Sequence, residues 1–553
     1  MKENYFLIVA SFTCLIGNTN AQSRNWQWAA PIGGTSSDGA TISIAADPSG
    51  NVYSTGNFQG TIDFDSDSLG IFYLSSFGSN DIFISKLDNS GNFAWVKQIG
   101  SAIGESSQSI AVDASGSVYT TGSITGTVDF DPGPGIFNLT PAGNYDIFIS
   151  KLDSAGNFVW AKTLGGTQPS WGTYIAVDDS YNVYTTGNFK GIADFDPGIG
   201  ISNLTSAGDY DIFISKLDNS GNFVWAKQMG GTFSDGGKAL AVDISGNVYT
   251  TGTFTLSADF DPDSVVSFNL TSNGSTDIFV LKINSAGNFV WAKSIGSTNT
   301  DVGYSVGFDD DGNVYTKGTF NGTVDFDPGA GTFNLTAVGY SNMFLSKLNS
   351  AGNFLWAKNM TFGSTWSSSM AIDAPGNVYT AGSFNSDIFI EKLDSSGNSL
   401  WTKTTGGANS ESGKSIVLDD AGHICLAGSF YSVSIFFGPV VLINHDLTAL
   451  SSDIFIAKLD TVLVTGIYDV SASLDITGIF PNPASTHFTI ALASYSERVK
   501  ITITDITGHQ IFNTIANETK KVEVDTRDFA EGVYFVEIQA GDFKEIKKLI
   551  IAK

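Results

Sequence analysis

Apolar and polar positions in this chain alternate in a pattern that itself repeats. The stretch DIFISKLDNSGNFVWAKQMG at residues 211–230 recurs with small changes seven times, beginning at Asp81, Asp146, Asp211, Asp277, Asn342, Asp387 and Asp453. The steps are 65, 65, 66, 65, 45 and 66 residues, a period that signals a solenoid or a propeller. Within the phrase, DIFISKL and NFVWAK read as two strands, and the DNSG between them supplies a glycine for the left-handed position of a short hairpin. A second pair of strands follows in each repeat, as in ALAVD, ISG, NVYTTG over residues 239–252. Four antiparallel strands per unit make a propeller blade. Solenoid β-helices have shorter periods and parallel strands, which hairpin turns do not allow. Ile212, Phe213 and Ile214 are consecutive, so this strand must be covered on both faces, as it would be between neighbouring blades.

The repeat leaves an orphan at each end. NWQWAAPIG at 25–33 is a Trp strand with nothing before it, and DIFIAKLD at 453–460 lacks the Trp strand that should follow. Pairing the two closes a ring and removes two exposed sheet edges. The expected fold is all-β: a seven-bladed β-propeller of four-stranded blades over residues 22–466, closed by the N-terminal strand, then a small Ig-like β-sandwich. The small, charge-poor IAVD strand suits the crowded axis, and NFVWAK carries the lysine of an outer edge. With these residues in view, the units resemble the bacterial seven-bladed β-propeller repeat family, SBBP-like repeats, and IAVDxxGNVY is similar to the inner hairpin of NHL-type propellers. The resemblance covers roughly residues 25–466.

From about Ile467 the pattern changes, with FPNPA at 480–484, VKITITDITGHQIF at 499–512, EGVYFVEIQAG at 531–541 and a basic ending, KKLIIAK. These motifs resemble the type A C-terminal sorting domain of the type IX secretion system, with Phe480 where Tyr is commoner. The resemblance implies that residues 467–553 act as an address for crossing the outer membrane, with the secretion machinery as partner and the cell surface or the medium as destination. A plain Ig-like adhesive module is the other reading of the same strands.

Composition narrows the rest. The chain has 553 residues, too many for one core, with 61 Gly, 41 Phe, 18 Tyr and 10 Trp, the make-up of a turn-rich β protein. Met1-Lys2, an apolar run and NTNAQ form a signal-peptide pattern over residues 1–21. No later apolar run reaches the roughly 18 residues of a membrane helix. Removing the signal leaves Cys425 alone, so no internal disulfide is expected. A formal charge of −27 argues against nucleic acid or an anionic membrane and leaves cations, glycans and basic proteins as partners.

Candidate chemistry lies in two places. Asp63/Asp65, Asp129/Asp131, Asp194/Asp196, Asp259/Asp261 and Asp325/Asp327 share one strand face about 6.6 Å apart, so calcium is a conceivable ligand and no other cofactor is called for. The competing reading is a hairpin closed by an Asp-Pro-Gly turn with its Phe inward. Five equal pairs look like scaffold, not like a glycosidase centre, and the four His, at 423, 445, 487 and 509, leave most of the propeller without triads or multi-His zinc sites. The second place is the loop from each Trp strand to the next inner strand, where the repeats disagree. There Asp38, Glu105, Asp235, Asp301 and Glu411, with Trp171 and Trp366, are the candidate ligand-binding residues of an acidic channel mouth bearing aromatic platforms. The alternative is that these carboxylates bind nearby backbone in Gly-rich turns. The expected function is an exported binding or adhesion module that is not an enzyme. The alternatives are a carboxylate-dependent polysaccharide enzyme, with Glu391 as the one unmatched acid, and a structural surface coat.

Overall fold

The computed structural model describes residues 25–34, 42–65, 70–263, 265–360, 369–446, 451–461, 476–480, 484–505, 509–540 and 543–553. Among these, every regular element is a strand, and the chain divides into two compact units, 1–463 and 464–553.

In the first unit the strands associate antiparallel in fours. The first group is Ile42–Ala46, Val52–Phe58, Asp81–Leu87 and Phe93–Ile99, and the second is Ser106–Val112, Val118–Ile124, Asp146–Leu152 and Phe158–Gly166. The third is Ser170–Val177, Val183–Asp194, Asn203–Leu217 and Phe223–Gly231, and the fourth is Gly236–Val242, Val248–Asp259, Asn269–Ile283 and Phe289–Ile295. The fifth is Val302–Phe308, Val314–Phe320, Asn342–Leu348 and Phe354–Asn359, and the sixth is Met370–Ile372, Val378–Phe384, Asp387–Leu393 and Ser399–Thr405. The last group takes Glu411–Leu418, Ile424–Phe430 and Asp453–Leu459 from the end of the unit and Trp26–Gly34 from its beginning. There Trp26 lies opposite Leu459 and Ile32 opposite Ile454, so the two orphan strands are partners. The first strand of each group packs on the first strand of the next, and that of the last group packs on Ile42–Ala46.

The consecutive apolar residues are covered as their pattern demands: Ile212, Phe213 and Ile214 are all fully buried. Phe213 stands opposite Gly187, where a Cβ would fall 1.9 Å from the Trp171 carbonyl and 2.9 Å from the Phe213 ring, so only glycine fits. Tyr184 stands opposite Lys216, whose Nζ lies 4.8 Å from the ring centroid, while the Tyr184 hydroxyl donates to Asp178 at 3.0 Å. Tyr53 and Lys86, Tyr119 and Lys151, and Tyr315 and Lys347 repeat the arrangement. The repeated lettering of NVY and SKL is therefore one aromatic–cation contact written again in the first six groups, while the last sets Cys425 opposite Lys458, which pairs with Asp419 at 2.7 Å.

The opening phrase owes its fidelity to contacts between groups. Trp160 Nε1 donates to the Asn219 carbonyl at 3.0 Å, in the DNSG turn of the following group. Gly221 of that turn, at φ +76°, lies flat on the indole, where a Cβ would come within 3.0 Å of the ring. The bond recurs from Trp28 to Asn89, Trp95 to Ser154, Trp225 to Ser285, Trp291 to Ser350 and Trp356 to Ser395. One half of the phrase grips the other half of its neighbour, so neither can drift alone.

The Asp-bearing insertions form a second link. Asp194 and Ala193 pair with Gly165 and Gly166 of the preceding outer strand, and Asp259 and Ala258 pair with Gly230 and Gly231. Asp63 does the same with Gly33, and isolated bridges join Gly100 to Asp129 and Gly296 to Asp325. The sixth group has no insertion. Asn385 and Ser386, at φ 51° and 73°, turn Val378–Phe384 directly into Asp387–Leu393, which accounts for the short 45-residue step.

The second unit is an antiparallel sheet of Ile476–Phe480, His487–Asp505, Gln510–Asp525, Gly532–Ala540 and Phe543–Ile551, with its own core of Phe488, Ile501, Ile503, Val536, Ile538 and Leu549.

Candidate functional site

The structure buries the carboxylates expected at an acidic mouth. Glu105, Asp235, Asp301 and Glu411 are each at most 2 % exposed. Asp235 accepts from the amides of Gly231 at 2.7 Å and Thr255 at 2.8 Å, and Asp301 from those of Ser297 at 2.6 Å and Asn321 at 2.8 Å. Glu105 accepts from the Ser101 amide at 3.0 Å, and Glu411 from Gly407 at 3.1 Å and Ser432 at 3.3 Å. The burial has a simple cause: these loops are Gly-rich, their amides need acceptors, and an acidic side chain supplies two acceptor oxygens from inside. Asp38 and Trp366 lie outside the described residues.

Burial shapes the ionisation of these groups. It pushes the carboxyls of Glu105 and Asp235 up to about 7, with further repulsion from Asp81 and Asp211 respectively. Asp146, Asp211 and Asp277, which open the DIFI strands, are pushed up to about 6 for the same first reason. One oxygen of each is buried without a hydrogen-bond partner.

The paired aspartates are similarly absorbed by their own hairpins. Asp129 Oδ1 accepts from the amides of Asp131 at 3.1 Å and Phe137 at 2.7 Å, and Asp325 repeats this with Asp327 and Phe333. The Phe between each pair, Phe64, Phe130, Phe195, Phe260 or Phe326, is buried. Among the described residues no three His, Cys, Asp or Glu side chains are grouped to hold a metal ion. His423 and His445 are bonded through Nδ1 to Asp419 at 2.9 Å and Asp453 at 2.6 Å.

Glu391 also has a structural explanation. It is buried, as is Lys317, whose Nζ donates to the Ser369 carbonyl at 2.9 Å. Burial lowers the Lys317 ammonium to about 7 and raises the Glu391 carboxyl, and each opposes the other's shift by attraction. Four other groups carry Thr at the Lys317 position and four carry Ser at the Glu391 position, and none carries a charge at either.

What remains open on the loop side is aromatic. Trp171 stands between Tyr145 and Tyr210, with ring centroids 5.7 Å and 5.1 Å away. Lys190 Nζ lies 5.4 Å from the Tyr210 centroid and pairs with Asp209 at 2.7 Å. Tyr145 is 40 % exposed, and Trp171 and Tyr210 are half-buried. The ladder crosses from the second group to the third because Tyr145 and Tyr210 occupy the same repeat position, and the Ser170 amide ties the Trp loop to the Tyr145 carbonyl at 2.9 Å. Sequence reasoning singled out Trp171 and missed both tyrosines, although each stands immediately before the DIFI strand. The corresponding interval between the fourth and fifth groups is a cleft of about 360 Å³ lined by Ser275, Asn299, Thr300, Asn321 and Tyr340.

Two family models match parts of the chain. Residues 478–552 match the secretion system C-terminal sorting domain, and residues 224–260 match the β-propeller repeat. The chain thus carries a β-propeller repeat and a type IX secretion sorting domain, and the latter marks it for export to the cell surface or beyond. It is 29 % identical over 223 residues to an uncharacterised WD repeat-containing protein of Acanthamoeba polyphaga mimivirus, a match over 36 % of this chain and 16 % of that protein. It is 30 % identical over 140 residues to the regulatory protein FlaEY of Caulobacter vibrioides, covering 25 % of this chain and 14 % of that one. The matched region is thus a small part of either relative. Among solved structures, a polysaccharide lyase is similar at TM-score 0.40 and 8 % identity, covering 81 % of this chain and 94 % of its own. A gluconolactonase of Xanthomonas campestris is similar at TM-score 0.29 and 11 % identity, covering 62 % and 90 %.

Proposed function

We propose that this protein is a seven-bladed β-propeller, closed by its N-terminal strand, that works outside the cell as a glycan-binding module. In this reading residues 1–21 are a signal peptide, 22–466 the propeller and 467–553 an Ig-like sorting domain that engages the outer-membrane secretion machinery. The observation that carries it is the Tyr145–Trp171–Tyr210 ladder beside the Lys190–Asp209 pair. Aromatic faces carry a negative quadrupole that favours the polarised C–H face of a sugar ring, while an adjacent cation and carboxylate can bond its hydroxyls. The ladder sits where the repeats diverge, on a frame that the repeats otherwise hold constant. This is the usual division between a rigid scaffold and its binding loops.

The test is a glycan array probed with the full chain and with Trp171→Ala. Capture of a defined glycan set, lost in the variant while the melting temperature moves by no more than about 2 °C, is the expected result. A variant that captures the same glycans as the parent overturns the assignment.

A further inference from the structure

We propose that Lys458 and Asn89 join through an isopeptide bond, which ties the last strand group of the first unit to the first group. The side chain of Lys458 is fully buried, and its Nζ donates to the Gly50 carbonyl at 3.1 Å, to Asn89 Oδ1 and to Asp419 Oδ2 at 2.7 Å. With Nζ bonded to Oδ1, the electrophilic Cγ of Asn89 lies one carbonyl bond, about 1.2 Å, beyond that contact. Gly50, at φ +79°, presses on both partners: a Cβ there would fall 2.9 Å from Asn89 Cγ and 2.9 Å from Lys458 Nζ. An amine, an amide carbon and a carboxylate are thus gathered at one point.

The convergence belongs to this boundary. Six groups place a tyrosine hydroxyl on the aspartate that ends their first strand, as Tyr53 does on Asp47 at 3.0 Å and Tyr119 on Asp113 at 2.9 Å. The last group has Cys425 in that place, and Asp419 takes Lys458 instead. His423 stands where the other groups carry Asn or Ser; it donates its amide to Asp419 at 2.8 Å and meets the carboxylate through Nδ1 at 2.9 Å. The turn residue that faces the lysine varies too. Where it is Ser, Lys86 and Lys347 reach only the backbone carbonyls of Ser154 and Ser395. Lys151 meets an Asn, Asn219, but the Tyr119 hydroxyl stands between, bonded to Asp113 and, at 3.2 Å, to Asn219 Oδ1. Among the described residues, a lysine touches an Asn amide and an aspartate together only where the last group meets the first.

The step balances without an outside reagent. Asp419 takes a proton from the Lys458 ammonium, the freed lone pair adds to Asn89 Cγ, and the Cγ–Nδ2 bond breaks. The departing nitrogen takes one proton from Nζ and the one held by Asp419, so ammonium leaves and the carboxylate is restored. Reactants held in contact by the fold supply the effective concentration that a free amine lacks. Cys425 is free and buried, so no disulfide staples this boundary; an amide bond ties it whatever the redox conditions outside the cell.

The experiment is intact-mass spectrometry of the denatured full chain, after the folded protein has been held at neutral pH, followed by fragment sequencing of a tryptic digest. The expected result is a mass about 17 Da below that of the processed sequence, from the ammonia lost, and a branched peptide joining Asn89 to Lys458. Asn89→Ala, Lys458→Met and Asp419→Ala should each show the full mass. A parent of full mass overturns the proposal and leaves Lys458 a buried ammonium with three acceptors. A deficit without the branched peptide, or one that persists in Asp419→Ala, overturns it as well.

Discussion

At the scale of single residues, what decides stability here is how a buried charge is answered. Lys317 and Glu391 answer one another between the fifth and sixth groups. Lys317→Ala removes the bond to the Ser369 carbonyl and the attraction that Glu391 feels, and should cost about 1–3 kcal/mol in urea denaturation. Replacing both residues by what most other groups carry, Lys317→Thr with Glu391→Ser, should recover most of that loss, and a double-mutant cycle reads the coupling directly. The buried loop carboxylates give a pH dependence. Glu105 and Asp235 are raised to about 7 and Asp146, Asp211 and Asp277 to about 6 in the folded state, so the folded chain holds protons that the unfolded chain has released. Stability should therefore fall as pH rises from about 4 to about 7 and flatten above that. Asp113, Asp309 and Asp419, whose carboxyls hydrogen bonding holds low despite burial, contribute stability that is lost below about pH 4. Melting temperature against pH should peak near about pH 4.5, and Glu105→Gln with Asp235→Asn should reduce the neutral-side slope. An unchanged slope in that variant would assign the effect to the overall negative charge instead.

At the scale of strands and turns, the grip between groups should be measurable. Trp160→Phe keeps most of the packing but removes the bond to the Asn219 carbonyl, and should cost about 1 kcal/mol. Gly221→Ala puts a Cβ against the Trp160 ring and the Lys162 stem at positive φ, and should cost about 2 kcal/mol or more in the same denaturation assay. The strands, their order within a group and their covered faces were legible in the sequence because periodicity reports them residue by residue, as in Ile212–Ile214. The direction in which a loop side chain turns was not legible. Asp235 and Asp301 look like surface acids until the amides of Thr255 and Asn321, 20 residues further on, are seen to close over them. Periodicity also concealed the insertions' role: the Gly165–Gly166 partner of Asp194 lies in the neighbouring group, and no local pattern announces a contact across that boundary.

At the scale of the molecule, the two ends of the first unit meet in one strand pair, Trp26–Gly34 against Asp453–Leu459. Deleting residues 22–33 removes the Trp28–Asn89 bond and the Gly33–Asp63 pairing along with that edge. If the proposed ring is closed by this strand, the truncated protein should melt earlier and over a broader range than the parent, read by calorimetry. A truncated chain with the parent's sharp transition would show that the strand is dispensable. The same pairing has a mechanical consequence. Residue 25 and residue 460 meet at one end of it, the Asp460 amide donating to the Asn25 carbonyl at 3.0 Å. Tension applied between the start of the first unit and the segment that leads to the tail would load the ladder of hydrogen bonds one rung at a time, beginning at that outermost bond. A clasp built this way peels open under a small force at its ends, yet resists the same force applied along its length, where every rung shares the load.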